Sequence, residues 1–264
     1  SIYKISSLSQ GGRVVAQSLG GVLVNHGSDN LQHNVLLNVV EEMAIASGTP
    51  VPPVYLLKNE DGINAFAAGF TTNDAVIGIT QGALDYFSRD ELQGVVAHEF
   101  SHIINGDMRI NMRLTGILYG ITLLGLIGYF IMRGSSVGKR SKKGNQAALL
   151  GLGLIVIGYG GTFFGNLIKA SVSRKREYLA DASAVQFTRN NHGIANALKK
   201  IGGYKFGSKL ETSEAQSFSH AFFSNAISTK FSSLFSTHPP LSERIKALDP
   251  QWTGRYHNTD TTNP

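Results

Sequence analysis

The sequence predicts a mainly helical α+β fold with a small β-sheet and an inserted hydrophobic helical hairpin. Three observations lead to this prediction. Short extended runs lie close together between positions 53 and 80, whereas helical periodicity recurs before and after them. A helix-capping pattern at position 88 precedes an apolar stripe. Two uncharged segments, 114–132 and 147–168, are long enough to form helices that cross a hydrocarbon core of roughly 30 Å.

The first predicted helix begins near Leu31, and a small sheet follows it. The apolar residues of this helix repeat at helical spacing, and a glycine and a proline end it. The run 53–58 is then predicted to be a short strand, and 60–70 turns into a second extended segment. The run 75–80 is rich in β-branched residues, which favours a third strand.

The rest of the chain is predicted to be largely helical. A capping box between Ser88 and Glu91 starts one helix, and Gly106 fits the residue after its end. Further helices are predicted at 173–190, 193–203 and 239–248. Residues 204–237 are rich in Ser and Phe and only weakly periodic, so they are predicted to mix helix and loop. The polar tail 254–264 is predicted to be disordered.

Two histidines on the capped helix belong to an H-E-x-x-H pattern. His98 and His102 are four residues apart and share one helix face, which is the geometry of two zinc ligands. Glu99 lies about 100° around the helix, where it can serve as general base for the water that zinc activates. The sequence has no cysteine, so any metal must be held by His, Asp or Glu. The competing interpretation is that both histidines are surface or hydrogen-bonded core residues of an ordinary helix.

A third protein ligand must come from elsewhere in the chain. The extended motif H-E-x-x-H-x-x-G-x-x-H is excluded because Asn105 and Met108 stand where it needs glycine and histidine. Asp107 lies off the shared helix face and beyond the predicted helix end, so it is a poor candidate. Glu177 is the next acidic residue, and Asp181 follows it one helical turn later. Glu177 can therefore ligate the metal while Asp181 accepts the ring N–H of a ligand histidine. An acidic pair on a helix is otherwise typical of a solvated face.

Basic charge is concentrated around the two uncharged segments. Residues 108–176 contain eleven of the 24 basic residues and no acidic residue, which favours nucleic acid or anionic lipid as a partner. The connecting segment 133–146 has no aromatic residue that could stack on bases, so we predict membrane lipid and no nucleic acid. Both uncharged segments carry small-xxx-small spacing, at Gly116 with Gly120 and at Gly161 with Gly165. The alternative is a buried hairpin of a soluble protein.

Four motifs together resemble a known family. In chain order they are INAFAAGF, HEFSH, SRKREYLADASAVQFTR and STHPPLSERI. The sequence between positions 8 and 248 resembles the membrane-associated zinc metallopeptidases that include bacterial HtpX and the CAAX prenyl endopeptidase. This resemblance implies a zincin-like metallopeptidase domain of the gluzincin type with one Zn²⁺ per chain. It also implies His98, His102 and Glu177 as zinc ligands, Glu99 as general base, and Asp181 as the partner of a ligand histidine.

The resemblance further implies residues that contact the substrate. Asn64, with Ala65 and Phe66 beside it, would contact the substrate backbone. His238 and Arg244 would contact the substrate or stabilise the oxyanion. From the residues alone, a His-Pro-Pro sequence is more typical of a rigid turn, and an arginine on a short helix is more typical of a surface charge.

The predicted function is that of a zinc-dependent endopeptidase. Its substrates would be polypeptides in extended conformation that add to a free edge of the strand at 75–80. Misfolded or membrane-inserted proteins are the expected substrate class in protein quality control. The resemblance implies a bacterial inner membrane with the catalytic domain in the cytoplasm. The alternative function is a membrane-anchored zinc-binding or chaperone-like protein without proteolytic activity.

The chain is predicted to form a single zinc metallopeptidase domain over residues 1–264. The hydrophobic hairpin, 114–132 and 147–168, is expected to be an insertion in this domain. Ser1 is not an initiator methionine, and no signal-peptide pattern follows it. We therefore expect a fragment whose upstream segment is missing.

Overall fold

The computed structural model describes residues 11–27, 30–135, 142–204 and 238–257. Apart from Tyr204, the segment predicted to mix helix and loop lies outside these residues. The chain divides into two compact units. The first consists of Ser1–Arg109, Arg174–Lys230 and His238–Pro264, and the second consists of Ile110–Ser173 and Phe231–Thr237.

The described residues are mainly helical and include a four-stranded sheet, as the sequence predicts. The strands are β1 (Val22–Leu23), β2 (Val54–Leu57), β3 (Ala65–Ala68) and β4 (Val76–Thr80). The helices are α1 (Gly12–Ser18), α2 (Leu31–Ser47), α3 (Gln81–Tyr86), α4 (Arg89–Asn105), α5 (Asp107–Ser135), α6 (Lys142–Thr188), α7 (Asn191–Gly203) and α8 (Leu241–Leu248). The sequence analysis did not predict α1, β1 or α3, all of which are short.

The sheet has the strand order β1-β2-β4-β3, so β4 is an interior strand. It pairs in parallel with β2, with Val54 opposite Ile77, and antiparallel with β3, with Ala65 opposite Ile79. The expectation that the strand at 75–80 offers a free edge to a substrate is therefore wrong. Its β-branched residues reflect burial between two neighbouring strands, and the alanine-rich β3 lies at one edge of the sheet, with β1 at the other.

Both faces of the sheet are covered. Alternate residues of a strand point to opposite faces, and Tyr55, Leu57 and Phe66 pack with Val15 of α1 on one of them. Leu56 belongs to the larger core on the other face, which includes residues of α2, α4 and α7. This double cover explains why every residue of β2, β3 and β4 is buried.

Helix α4, which carries the histidine motif, begins and ends as the sequence predicts. The Ser88 side chain accepts from the Glu91 N–H, and the Glu91 side chain accepts from the Ser88 N–H at 2.7 Å, which completes the capping box. Gly106 follows α4 in the left-handed region with φ of 65°. At Gly94 a Cβ would lie 2.5 Å from the backbone nitrogen of Ile194, so this glycine allows α7 to approach closely. These contacts hold the histidine motif inside the core of the first unit.

The tail after α8 begins inside the first unit. Trp252 and Tyr256 have ring centroids 5.2 Å apart, and the backbone N–H of His257 donates to the Lys199 carbonyl at 3.3 Å. Tyr256 and His257, in the tail that was predicted to be disordered, therefore contact α7. Residues 258–264 lie outside the described part of the chain.

The two uncharged segments lie within α5 and α6. The sequence predicted separate helices at 147–168 and 173–190, but α6 runs without interruption from Lys142 to Thr188. Neither proline nor glycine stands between Ile168 and Ser173, so the backbone contains no signal that ends the first helix there. Both α5 and α6 are long and apolar enough to cross a membrane.

Glycines bring α5 and α6 into close contact within the second unit. A Cβ at Gly158 would lie 2.3 Å from backbone atoms of Gly125. A Cβ at Gly128 would lie 2.6 Å from the Gly151 carbonyl oxygen. The two backbones therefore approach as closely as small residues allow in helices that pack within a membrane.

Of the four glycines that the small-xxx-small pattern indicated, two lie at the contact between the helices and two do not. A Cβ at Gly116 or Gly120 would have nothing within 4 Å. Gly161 and Gly165 face side chains of α5 and not its backbone. The assignment of small-residue packing to Gly161 and Gly165 therefore agrees with the structure, whereas the assignment to Gly116 and Gly120 is wrong.

Large apolar side chains cover the outside of the second unit. Five of them are more than 60% exposed, namely Ile117, Phe130, Leu149, Val156 and Phe164. A core helix of a soluble protein would bury such side chains, whereas helices that face lipid expose them. The structure thus favours the membrane hairpin over the soluble alternative.

Candidate metal centre

Two helices bring three potential metal ligands together in the first unit. His98 and His102 come from α4, and Glu177 comes from α6. The Nε2 atoms of the histidines are 3.1 Å apart. Glu177 has Oε2 at 3.6 Å from His98 Nε2 and Oε1 at 3.5 Å from His102 Nε2. Since ligand atoms of all three residues lie within 4.8 Å of one another, one ion could bind all of them.

The second ring nitrogen of each histidine faces a carboxylate. His98 Nδ1 lies 2.9 Å from Asp181 Oδ1, and His102 Nδ1 lies 2.7 Å from Asp107 Oδ2. An ionised carboxylate can only accept, so each Nδ1 carries the proton and donates it. The lone pairs of both Nε2 atoms then point toward each other and toward Glu177. Three converging acceptors repel one another unless a cation lies between them, so the arrangement fits a metal ion.

Buried side chains hold Glu177 in its position. His238 Nδ1 lies 3.1 Å and Arg244 Nη1 3.2 Å from Glu177 Oε2. Burial alone would raise the pKa of Glu177, but His238 and Arg244 outweigh this effect and hold the pKa below its ordinary value. Glu177 is therefore ionised at neutral pH, as a metal ligand must be.

Arg244 lies behind the ligands and connects the two acidic residues of α6. Its Nε and Nη2 donate to the two oxygens of Asp181 at 2.8 and 2.7 Å, while its Nη1 faces Glu177. Burial alone would raise the pKa of Asp181, but Arg244 and His98 hold it below its ordinary value. Arg244 is completely buried, so the interpretation of this residue as a surface charge is wrong. Its nitrogens face carboxylates, which leaves it poorly placed to contact a substrate.

Glu99 lies on α4 next to the first ligand histidine. It is completely buried, and within the described residues no side chain bonds to its carboxylate oxygens, while the Ala67 backbone N–H acts to lower its pKa. Burial raises the pKa of Glu99 to about 7. A carboxyl group with this pKa can accept and release a proton near neutral pH, which suits a general base.

The protonation states of the ligands agree with catalytic metal binding. Burial lowers the pKa of His98 to about 4, although the charge of Asp181 opposes this effect. His98 is therefore neutral at physiological pH, which is the form that binds a metal. Two histidines and one ionised glutamate form a ligand set of catalytic zinc sites, which keep a fourth position for water or substrate.

The residues predicted to contact the substrate backbone lie in and beside β3. Asn64, Ala65 and Phe66 are each 1% exposed. The Phe66 ring packs with Val15 under α1, on the sheet face opposite the main core. Asn64 Oδ1 accepts from the Ala65 N–H at 3.0 Å, and the backbone carbonyl of Asn64 accepts from the Thr80 N–H at 3.1 Å. Substrate contact by these three residues stays a prediction.

Asp107 has a position that sequence reasoning missed. The sequence made it a poor ligand candidate, and in the structure it contacts the ligand candidate His102. The left-handed conformation of Gly106 ends α4, and Asp107 directly after it lies against that histidine. The available signal was the glycine at the helix end followed directly by an acidic residue.

Comparison with known proteins agrees with this geometry. Peptidase family M48 matches residues 30–251, a range that contains both helices of the candidate centre and α8. The chain belongs to peptidase family M48. This M48 chain is accordingly a metallopeptidase that hydrolyses peptide bonds, and the predicted family and activity are confirmed.

Relatives of this M48 chain include protease HtpX homologs from bacteria. One from Caldanaerobacter subterraneus subsp. tengcongensis is 36% identical over 250 residues, which cover 94% of this chain and 80% of that protein. One from Dictyoglomus thermophilum is 37% identical over 214 residues, which cover 81% of this chain and 68% of that protein.

A solved structure has the same fold as this M48 chain. The crystal structure of Ste24p from S. mikatae matches with a TM-score of 0.58 and 19% sequence identity. The match covers 94% of this chain and 56% of the Ste24p chain. The likeness confirms the predicted fold class.

Proposed function

We propose that this metallopeptidase is an endopeptidase that binds one zinc ion through His98, His102 and Glu177. The observation that carries the proposal is the convergence of three acceptor groups, with each histidine proton held by a carboxylate on the far side of its ring. When bound there, zinc would polarise the scissile carbonyl and lower the pKa of a water molecule to about 7.

Glu99 is the proton carrier in this proposal. It takes a proton from the attacking water and returns it to the leaving amine. Its burial, and oxygens that no described side chain occupies, support this role, because the water and the amine can then bond to it in turn. The pKa of Glu99 is raised by burial, whereas Arg244 helps to hold the pKa values of Glu177 and Asp181 low. This separation directs the proton to Glu99 and leaves the other two carboxylates ionised.

His238 and Arg244 have different roles in the proposal. His238 lies at Glu177 Oε2 and is the residue that would stabilise the oxyanion. Arg244 acts indirectly, because its contacts with Asp181 and Glu177 fix the orientation of a ligand histidine and of a ligand.

The substrate would pair with the edge strand β3. The Asn64 carbonyl accepts from Thr80, and backbone groups alternate in direction along an antiparallel pair. The backbone carbonyls of Ala65 and Ala67 are therefore directed away from β4, whereas the Ala65 N–H already donates to Asn64 Oδ1. A small pocket lined by the end of β3 and by His102 lies beside this strand. Pairing through the backbone explains how misfolded or membrane proteins of varied sequence could serve as substrates.

The hydrophobic segments are, in this proposal, an insertion within one peptidase domain of a bacterial inner membrane protein. The first compact unit is assembled from sequence on both sides of Ile110–Ser173, which supports an insertion. Six basic residues flank the segments on the side of the first unit and five lie between them, so the positive-inside rule favours neither orientation. A cytoplasmic peptidase unit follows from the resemblance alone. Membrane lipid is the expected partner and nucleic acid is not.

The proposed function is tested on the full chain purified in detergent. We expect one zinc ion per chain, internal cleavage of casein, and loss of cleavage with a chelator. Glu99→Gln should keep zinc and fold but lose at least 100-fold in rate, because general-base catalysis typically contributes about 10² to 10⁴. Equal turnover by the two proteins would exclude the proposed mechanism.

The same measurements distinguish the proposed endopeptidase from the alternative function. A membrane-anchored zinc-binding or chaperone-like protein would bind zinc and cleave no substrate. Such a protein has no need of Glu99, whose buried carboxylate bonds to no side chain of the described residues and is costly to retain.

A further inference from the structure

We propose that Asp107 and Arg176 form a positioning pair that orients His102 for metal binding. This inference deepens the proposed function, because it concerns how one ligand of the same centre is held. Asp107 is 5% exposed, and its Oδ2 lies 2.7 Å from His102 Nδ1. The Arg176 guanidinium forms an ion pair with the other oxygen of Asp107. The carboxylate is thereby fixed between the ring and the cation.

Arg176 also ties the end of α4 to α6. Its Nη2 donates at 3.1 Å to the carbonyl of Asn105, and Asn105 is the last residue of α4. The Asn105 side chain in turn donates to the Ser101 carbonyl at 2.9 Å. Arg176 directly precedes the third ligand in the sequence. One side chain thus relates the helix that carries both histidines to the helix that carries Glu177.

The centre therefore contains two similar chains of contacts. The first runs from His98 through Asp181 to Arg244, and the second runs from His102 through Asp107 to Arg176. The two differ in burial, since the Arg244 side chain is 1% exposed and the Arg176 side chain is 21% exposed. A substitution of Asp107 or Arg176 should consequently alter the orientation of His102 and affect folding less than a substitution of Arg244 would.

The experiment compares zinc affinity among variants of the full chain in detergent. The metal is removed, zinc is titrated against a competing chelator, and thermal unfolding of each metal-free protein is recorded. Asp107→Asn keeps the shape of the side chain but weakens its hold on the ring N–H. We expect zinc affinity about 10- to 100-fold lower, the usual effect of losing such a carboxylate partner. The absorption spectrum of bound Co²⁺ should also change, because one ligand ring is no longer fixed.

Asp249→Asn is the matched control. Asp249 pairs with Lys199 at 2.9 Å in the same unit and has no contact with a metal ligand among the described residues. We expect this variant to unfold at a temperature similar to that of Asp107→Asn and to bind zinc like the parent. If Asp107→Asn does not fold, Arg176→Gln tests the positioning role instead. The inference requires that Arg176→Gln also lower zinc affinity.

The possible outcomes separate this inference from the proposed function. Zinc affinity like that of the parent in Asp107→Asn would overturn the positioning role alone. If Asp107→Asn is unfolded, the same result in a folded Arg176→Gln would overturn it. Failure of the parent itself to bind zinc would overturn the proposed function and the inference with it. A double variant no weaker in zinc binding than Asp107→Asn would support the view that Arg176 acts through Asp107.

Discussion

At the scale of single residues, Glu177 and Asp181 lie one helical turn apart on α6 but have different tasks. Glu177 faces the Nε2 atoms of both histidines, whereas Asp181 accepts from the far side of one ring. Glu177→Ala should weaken zinc binding far more than Asp107→Ala, because only the first removes a ligand. Asp181→Asn should lower affinity or activity by roughly 10- to 100-fold. Zinc titration measures both effects, and normal stoichiometry and affinity in Glu177→Ala would show that another residue is the third ligand.

Arg244 allows a prediction about stability at the same scale. It compensates two buried carboxylates, so Arg244→Met should destabilise the metal-free protein by about 3–5 kcal/mol. The loss should be smaller with zinc bound, because the ion then compensates Glu177. Denaturant unfolding with and without zinc measures the difference.

An exposed ion pair provides the control for this measurement. Arg89 pairs with Glu42 with side chains 49% and 41% exposed, so Arg89→Met should cost at most about 1 kcal/mol. A similar loss in the two arginine variants would contradict the compensating role of Arg244.

At the scale of elements, the contact between α5 and α6 depends on particular glycines. Gly158→Ala would force a Cβ to within 2.3 Å of the Gly125 backbone, so the two helices would have to separate. Gly120→Ala is the matched control, because its Cβ would have nothing within 4 Å and alanine favours the helix. We expect unfolding in detergent at lower denaturant concentration for Gly158→Ala and unchanged or higher for Gly120→Ala. The same loss in both variants would rule out this packing.

At the scale of the whole molecule, the apolar surface of α5 and α6 determines where the protein is found. The chain expressed as residues 1–264 should pellet with membranes and resist carbonate extraction. The two uncharged segments supply about 41 largely apolar residues for this association. A protein recovered entirely in the soluble fraction as a monodisperse species without detergent would show that these helices form a soluble core.

The sequence by itself determined the features that depend on neighbouring positions along the chain. The capping box at Ser88, the left-handed Gly106 and the shared face of His98 and His102 all follow from spacings within one helix. Apolar segments of sufficient length likewise identify α5 and α6 as candidate membrane helices. Such local rules also indicated Glu177 and Asp181 as a pair one turn apart.

Only the tertiary structure decided which surfaces meet. The sequence predicts that β4 is a strand, but its interior position in the sheet depends on pairing with both β2 and β3. The sequence alone is typical of a surface charge at Arg244, but the packing of α8 places this side chain against the carboxylates of α6. Asp107 becomes the partner of His102 because α4 ends at the left-handed Gly106 just before it. These contacts join residues that are distant in sequence or lie on different elements, and their energies depend on packing and burial, which no local pattern of residues specifies.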